Sequence, residues 1–182
     1  IPFAHPLCVG RPGVVALRAP NFAVQNCDLL IAIGCRLDNI ITAYNPGNFA
    51  RAARKVVVDV DVAELDKPGM VMDEAIQGDA AVVIAAWLAA ESPPAPDRSS
   101  WLLRCQQWKA RWPVNDGQPF APSDTISHYH FVAALSDAIP PKTLIVTGSS
   151  GLGVEAFYST FRNSPGQRLF LTSGLGAMGY GL

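Results

Sequence analysis

Short apolar runs, each closed by glycine, proline or an acid, set the rhythm of this chain. Leu29–Ile33 (LLIAI) is continuously apolar and runs into Gly34-Cys35-Arg36-Leu37-Asp38. Residues 55–60 (KVVVDV) repeat the pattern and end in acids at Asp59 and Asp61. Runs of this length, rich in branched side chains and without alternation, predict strands buried on both faces. A weaker strand is predicted at Ala75-Ile76, before Gly78-Asp79. Between them the pattern predicts helices over residues 22–27 behind a capping Asn21, over 48–54, and over Val62–Leu65. Asp79 is positioned to cap another over residues 80–90. Residues 1–20, rich in proline and glycine, predict a loop with at most a short strand at 14–17. Strand and helix alternate over about 90 residues, which predicts a parallel α/β sheet with ligands beyond the carboxyl ends of its strands.

The pattern changes at residues 91–100 (ESPPAPDRSS), which read as a linker. Residues 100–112 then predict an amphipathic helix with Trp101, Leu102, Cys105 and Trp108 at helical spacing, tryptophans suited to packing. Residues 113–123 form a second linker. A helix opening at Thr125 or Ser127 and running through Ala138, a strand at 143–147, a helix at 154–161 and a strand at 169–172 complete the chain.

Composition narrows the function classes. Fourteen basic and fifteen acidic residues leave a net charge of −1, so there is no electrostatic footprint for nucleic acid or an anionic membrane. The apolar runs are too short or too interrupted for a membrane span. Cys8, Cys27, Cys35 and Cys105 show no metal-binding spacing and read as reduced structural thiols of a cytoplasmic protein. No nucleophile–histidine–acid array stands out. His128 and His130 open a helix, where capping or surface roles suffice.

Chemistry is instead suggested by glycines. Gly174, Gly176, Gly179 and Gly181 follow a predicted strand, the arrangement of a tight strand-to-helix turn whose amides could face an anion. The turn at Gly148-Ser149-Ser150-Gly151 offers a second such loop. Either alone also describes an ordinary strand–turn–helix junction. A nicotinamide- or flavin-dependent oxidoreductase using the terminal loop is one reading, and a non-catalytic nucleotide-binding module another. Because the sequence stops inside the terminal turn and opens on Ile1, it is expected to be part of a longer protein.

Five segments taken in order are more specific. HPLCVG (5–10), NCDLLIAIGCRLDN (26–39), KVVVDVDVAEL (55–65), QGDA (77–80) and SGLGAMGYGL (173–182) resemble, in sequence and spacing, the thiamine-diphosphate enzymes of the acetolactate synthase type. That resemblance implies two partial Rossmann-like α/β domains: residues 1–92 as the later part of a central domain, 93–121 as a linker with one helix, and 122–182 as the start of the diphosphate-binding domain. It implies a carboligase or decarboxylase acting on a 2-oxo acid such as pyruvate, assembled as a homodimer or homotetramer. The cofactors would be thiamine diphosphate and Mg²⁺, with the metal ligands and the catalytic base outside this chain, so the chain alone should show no turnover.

By the same resemblance Met178 is the apolar wedge between the two cofactor rings, a role an unbranched thioether suits. The carbonyl of Gly176 accepts the 4′-amino group, Gly174 belongs to the same turn, and Gly148, Ser149 and Ser150 approach the diphosphate. This last turn departs from the family's D-x-G-Q-H wording. Gly34, Arg36, Asp38, Asp59, Val60 and Asp79 match positions that contact FAD in acetolactate synthases. Here, however, the family's M-H-G segment reads Val14-Val15-Ala16, and an expected arginine reads Ile40, so FAD is possible but not required.

Overall fold

The computed structural model describes residues 1–91, 93–122, 124–148, 151–171, 176, 177 and 179, and all of their side chains except that of Leu152. It divides into two compact units, Phe22–Ser100 and Ile1–Asn21 together with Trp101–Leu182.

The Phe22–Ser100 unit is built on three parallel strands, β1 (Leu29–Ile33), β2 (Arg54–Asp59) and β3 (Glu74–Gln77), in that spatial order. Ile31 lies opposite Val56, and Val58 opposite Ile76. Because side chains alternate across a strand, Leu30, Ala32 and Val57 face one side and pack with Leu37, Phe49, Ala50, Ala53 and Met70. Helices α2 (Val62–Leu65) and α3 (Ala80–Ala89) both pack on β2. β2 is accordingly the most enclosed strand, with Val57 and Val58 essentially inaccessible. β1 differs. Among the described residues it pairs only with β2, and Leu29 and Ile31 remain 41% and 47% exposed. Helix α3 (AAVVIAAWLA) is apolar throughout and has no buried residue.

The expected helix over residues 48–54 does not form. A single 3₁₀ turn at Pro46–Asn48 is followed by irregular turns, and Ala43, Tyr44 and Ala50 take positive φ, which no right-handed helix accommodates. Nor is there a strand at residues 14–17, where the amide of Ala16 turns back to the carbonyl of Gly13. Helix α1 (Arg18–Asn26) starts earlier than expected, so Asn21 lies inside it. The Asn21 amide instead joins Gly13 twice, accepting from its N–H at 2.9 Å and donating to its carbonyl at 2.9 Å.

The other unit holds most of α4 (Ser99–Arg111), then α5 (His128–Ala138), β4 (Leu144–Val146), a π-helical turn at Leu152–Ala156 leading into α6 (Phe157–Thr160), and β5 (Arg168–Phe170). β4 and β5 are parallel, with Ile145 opposite Leu169. Their core is Val132, Ile145, Ala156, Phe157 and Phe161, the two phenylalanine rings stacking at 4.4 Å. Buried Ser136 ties α5 to the segment after α6, donating to the Val132 carbonyl and accepting from the Arg162 amide. Trp101 and Trp108 meet edge to face at 5.8 Å, partly covered, as packing residues do.

Candidate functional site

Parallel strands deliver their following residues to one edge, which among the described residues collects Gly34, Asp59, Val60 and Asp79 in one unit and Thr147 and Gly148 in the other. At β1–β3, the Gly34 amide donates to the Val58 carbonyl and the Gly78 amide to the Asp59 carbonyl, extending the ladder by one step. Gly34, Asp59, Val60 and Asp79 therefore leave the sheet side by side. Gly34 has φ +55°, and a methyl group there would meet only the Ala80 side chain, at 3.8 Å.

The acids of this edge are occupied with the backbone. Asp59 Oδ1 accepts from the Asp61 amide at 3.0 Å, and Asp61 caps α2 through the Ala63 amide at 2.9 Å. Asp79 Oδ1 caps α3, accepting from Ala81 and Val82 at 2.8 and 3.2 Å. Asp38 Oδ1 accepts from the Ile41 amide at 3.0 Å. Exposed Arg36 is paired by its Nε to Glu64 Oε1 at 3.0 Å. Glu64, only 13% exposed, also pairs with Lys67, which in turn donates to the carbonyls of Arg36 and Leu37. Lys67 thus fastens the turn in which buried Leu37 holds φ +49°. Glu64 and Lys67 escaped the sequence reading; their spacing of three along one short helical stretch was the available signal.

At the β4–β5 edge the Thr147 amide donates to the Phe170 carbonyl at 3.0 Å. Gly148 and Leu171 therefore lie just beyond the same edge. Thr147 Oγ1 is buried there and has no hydrogen-bond partner among the described residues, an unmet bond that costs about 1–3 kcal/mol when left unfilled. Gly176 and Gly179 have φ of +64° and +87°, and a Cβ at Gly148, Gly176 or Gly179 would have no heavy atom within 4 Å. At this edge the Thr147 hydroxyl, unpaired among the described residues, therefore stands next to Gly148, whose backbone a ligand can approach closely. Ser149, Ser150, Gly174 and Met178 lie outside the described residues.

Among the described residues no three His, Cys, Asp or Glu side chains gather as a metal site, and no helix is long and apolar enough to cross a membrane. The thiols differ in reach: Cys35 is exposed beside Arg36, and Cys105 is buried. Burial raises the pKa of Cys27, whose thiol also donates to the Val24 carbonyl at 3.2 Å, so it stays protonated further above neutrality. Alkylation at pH 8, followed by mass spectrometry, should modify Cys35 at least about tenfold faster than Cys27 and reach Cys105 last. Equal rates for Cys35 and Cys105 would contradict the folded arrangement.

Comparison with known proteins supplies the wider frame. Residues 1–87 match the family described as thiamine pyrophosphate enzyme, central domain. The chain is 35% identical to the probable acetolactate synthase large subunit of Methanocaldococcus jannaschii over 99% of its own length, which is 31% of that protein. It is 32% identical to acetolactate synthase isozyme 2 large subunit of Escherichia coli, covering 98% of this chain and 30% of that one. It is 30% identical to the acetolactate synthase large subunit of Pyropia yezoensis, covering 96% and 29%. The chain therefore spans under a third of the length of each of these relatives.

Proposed function

We propose, from the match of residues 1–87 to the thiamine pyrophosphate enzyme central domain and the alignment of nearly the whole chain with acetolactate synthase large subunits, that this chain is part of a thiamine-diphosphate-dependent carboligase or decarboxylase acting on a 2-oxo acid such as pyruvate. The observation that carries this reading is that the likeness runs through both units, so the glycine-rich stretches 148–151 and 174–181 share one family context. Residues 1–92 are assigned to the central domain, 93–121 to the connection, and 122–182 to the start of the diphosphate-binding domain.

Bound thiamine diphosphate would supply the nucleophilic carbon and electron sink that decarboxylation of a 2-oxo acid requires. The residues here would hold and shape it. The Gly148-Ser149-Ser150 loop and the Thr147 hydroxyl suit phosphate oxygens, which accept hydrogen bonds from hydroxyls and amides alike. Gly174 and Gly176 leave the backbone open to a close ring, and Met178 is the apolar spacer that keeps two rings folded together. Mg²⁺ would be coordinated by residues outside this chain. The active assembly is a homodimer or homotetramer.

FAD is left out of this proposal. Asp59 keeps a second carboxylate oxygen for a ribose hydroxyl, but the first amides of α3 are taken by Asp79 and Arg36 is paired with Glu64. A pyrophosphate would displace both arrangements.

The test is the full-length enzyme with thiamine diphosphate and Mg²⁺. Met178→Ala should lower kcat about 10²-fold, the cost of a roughly 1 Å misplacement of reacting groups, while Met178→Leu restores most of it and cofactor affinity changes little. Wild-type turnover in Met178→Ala would overturn the role given to that side chain. Absence of any calorimetric signal on titrating thiamine diphosphate with Mg²⁺ would overturn the cofactor assignment itself.

A further inference from the structure

The unit formed by Ile1–Asn21 and Trp101–Leu182 contains a cavity of roughly 700 Å³ that the proposed chemistry does not use. Its walls are largely apolar, with Phe3, Leu17, Trp112, Val114, Phe120 and Leu169 among them. Its charged lining is of one sign. Arg11, Lys109 and Arg162 reach it, and among the described residues no aspartate or glutamate does.

Arg162 is neutralised by Asp137 at 2.7 Å. Among the described residues the other two cations meet no acid. Arg11 donates from Nη1 to the carbonyls of Tyr158 and Phe161 at 2.9 and 3.0 Å, and from Nη2 to Asn163 Oδ1 at 3.2 Å. Lys109 donates to the carbonyls of Phe3 and Cys8 at 3.0 and 2.9 Å and lies over the Phe3 ring. All of these partners are neutral. A guanidinium has five N–H groups and an ammonium three, so among the described residues Arg11 keeps two donors and Lys109 one, each with its full charge. Burial lowers the pKa of Arg11, the direction expected of a cation drawn out of water without a counter-ion. A partly buried, uncompensated charge gains from any anion that can reach it, and the gain is larger because the surroundings are apolar.

We propose that this cavity is a binding site for an organic monocarboxylate with an apolar body, its carboxylate held between Arg11 and Lys109 and its body against the aromatic wall. The volume falls in the range of small-molecule sites and suits an acid of about ten non-hydrogen atoms. A small inorganic anion would satisfy the charge but leave the apolar wall wet, so inorganic phosphate should bind far more weakly. The proposal does not depend on the thiamine diphosphate reading.

The probes are 3-phenylpropionate and its neutral isostere 3-phenylpropanamide, titrated into the full-length protein by calorimetry and by the indole resonance of Trp112, assigned with Trp112→Phe. The acid should bind at least about tenfold more tightly than the amide, as a charge-assisted contact requires, should shift that resonance, and should weaken as KCl is raised. Lys109→Gln should remove most of the preference for the acid while leaving amide binding unchanged, and Lys109→Arg should restore it. Because Lys109 also holds two carbonyls, thermal melting of each variant accompanies the titration. Where Lys109→Gln melts early, the acid–amide comparison and salt dependence of the wild type decide the matter. Equal affinity for acid and amide, binding of neither, or phosphate binding as tightly as the acid would overturn the proposal.

Discussion

Phe161→Ala should destabilise the chain by about 3–5 kcal/mol, the range for removing a fully enclosed aromatic ring. Phe161 has no accessible surface, its ring stacks on Phe157 at 4.4 Å, and it follows directly on α6. Both of its backbone polar groups are engaged, the amide donating to the Phe157 carbonyl and the carbonyl accepting from Arg11. Truncation leaves a void between α5, α6 and the β4–β5 pair that two phenylalanines had filled. Against a total stability of about 5–15 kcal/mol for a typical domain, such a loss should move the urea midpoint far down or abolish folding of this unit. Phe161→Leu retains most of the volume and should cost considerably less. A midpoint for Phe161→Ala within experimental error of wild type would show that this ring is not at the centre of the core.

The second large effect is expected at Ala50, in the other unit. Ala50 is fully buried and has φ +47°. A left-handed alanine already costs about 1–2 kcal/mol, and a branched side chain is still less compatible with that conformation. Ala50→Val adds overpacking, about 1–3 kcal/mol, so the two together should cost about 3 kcal/mol or more. Ala50→Gly separates the causes. It relieves the backbone strain but forfeits about 0.8 kcal/mol of methyl burial and about 0.5–1 kcal/mol of chain entropy, leaving a net change within about 1 kcal/mol of zero. Chemical denaturation of both variants checks this. Similar losses for valine and glycine would mean that space, not backbone conformation, limits the position.

These two positions mark where the sequence could and could not be read. The strand Leu29–Ile33 and the helix Val62–Leu65 appear with the expected bounds, because an unbroken apolar run and an Asp cap are local signals. Asp79 likewise caps α3 as its position before an apolar helix suggested. The expected helix over residues 48–54 failed for a nonlocal reason: Ala50 is drawn into the core beneath β1 and β2, and the chain bends left-handed to deliver it. Alanine carries no mark of that in the sequence. Asn21 looked like a cap because its distant partner, Gly13, was invisible to a local reading.

The same contrast governs the sites. Glycines and acids at strand ends were legible, since a parallel sheet always delivers those residues to one edge. The orphaned hydroxyl of Thr147 was not, because its isolation arises only when β4 and β5 pair. Arg11 was beyond reach altogether, its three acceptors lying 147 to 152 residues away.

That one side of β1 is left unpaired among the described residues has a practical consequence. Its Leu-Leu-Ile-Ala-Ile run carries no lysine, proline or bulge to discourage another chain from adding there, and it lies in a unit whose α3 displays Val82 and Leu88 to solvent. Such a rim is a template for β-rich self-association. Handling this stretch by itself is thus a problem of colloidal stability before it is one of enzymology, and a soluble flanking segment that shields the rim matters more to its preparation than any change to buffer or cofactor.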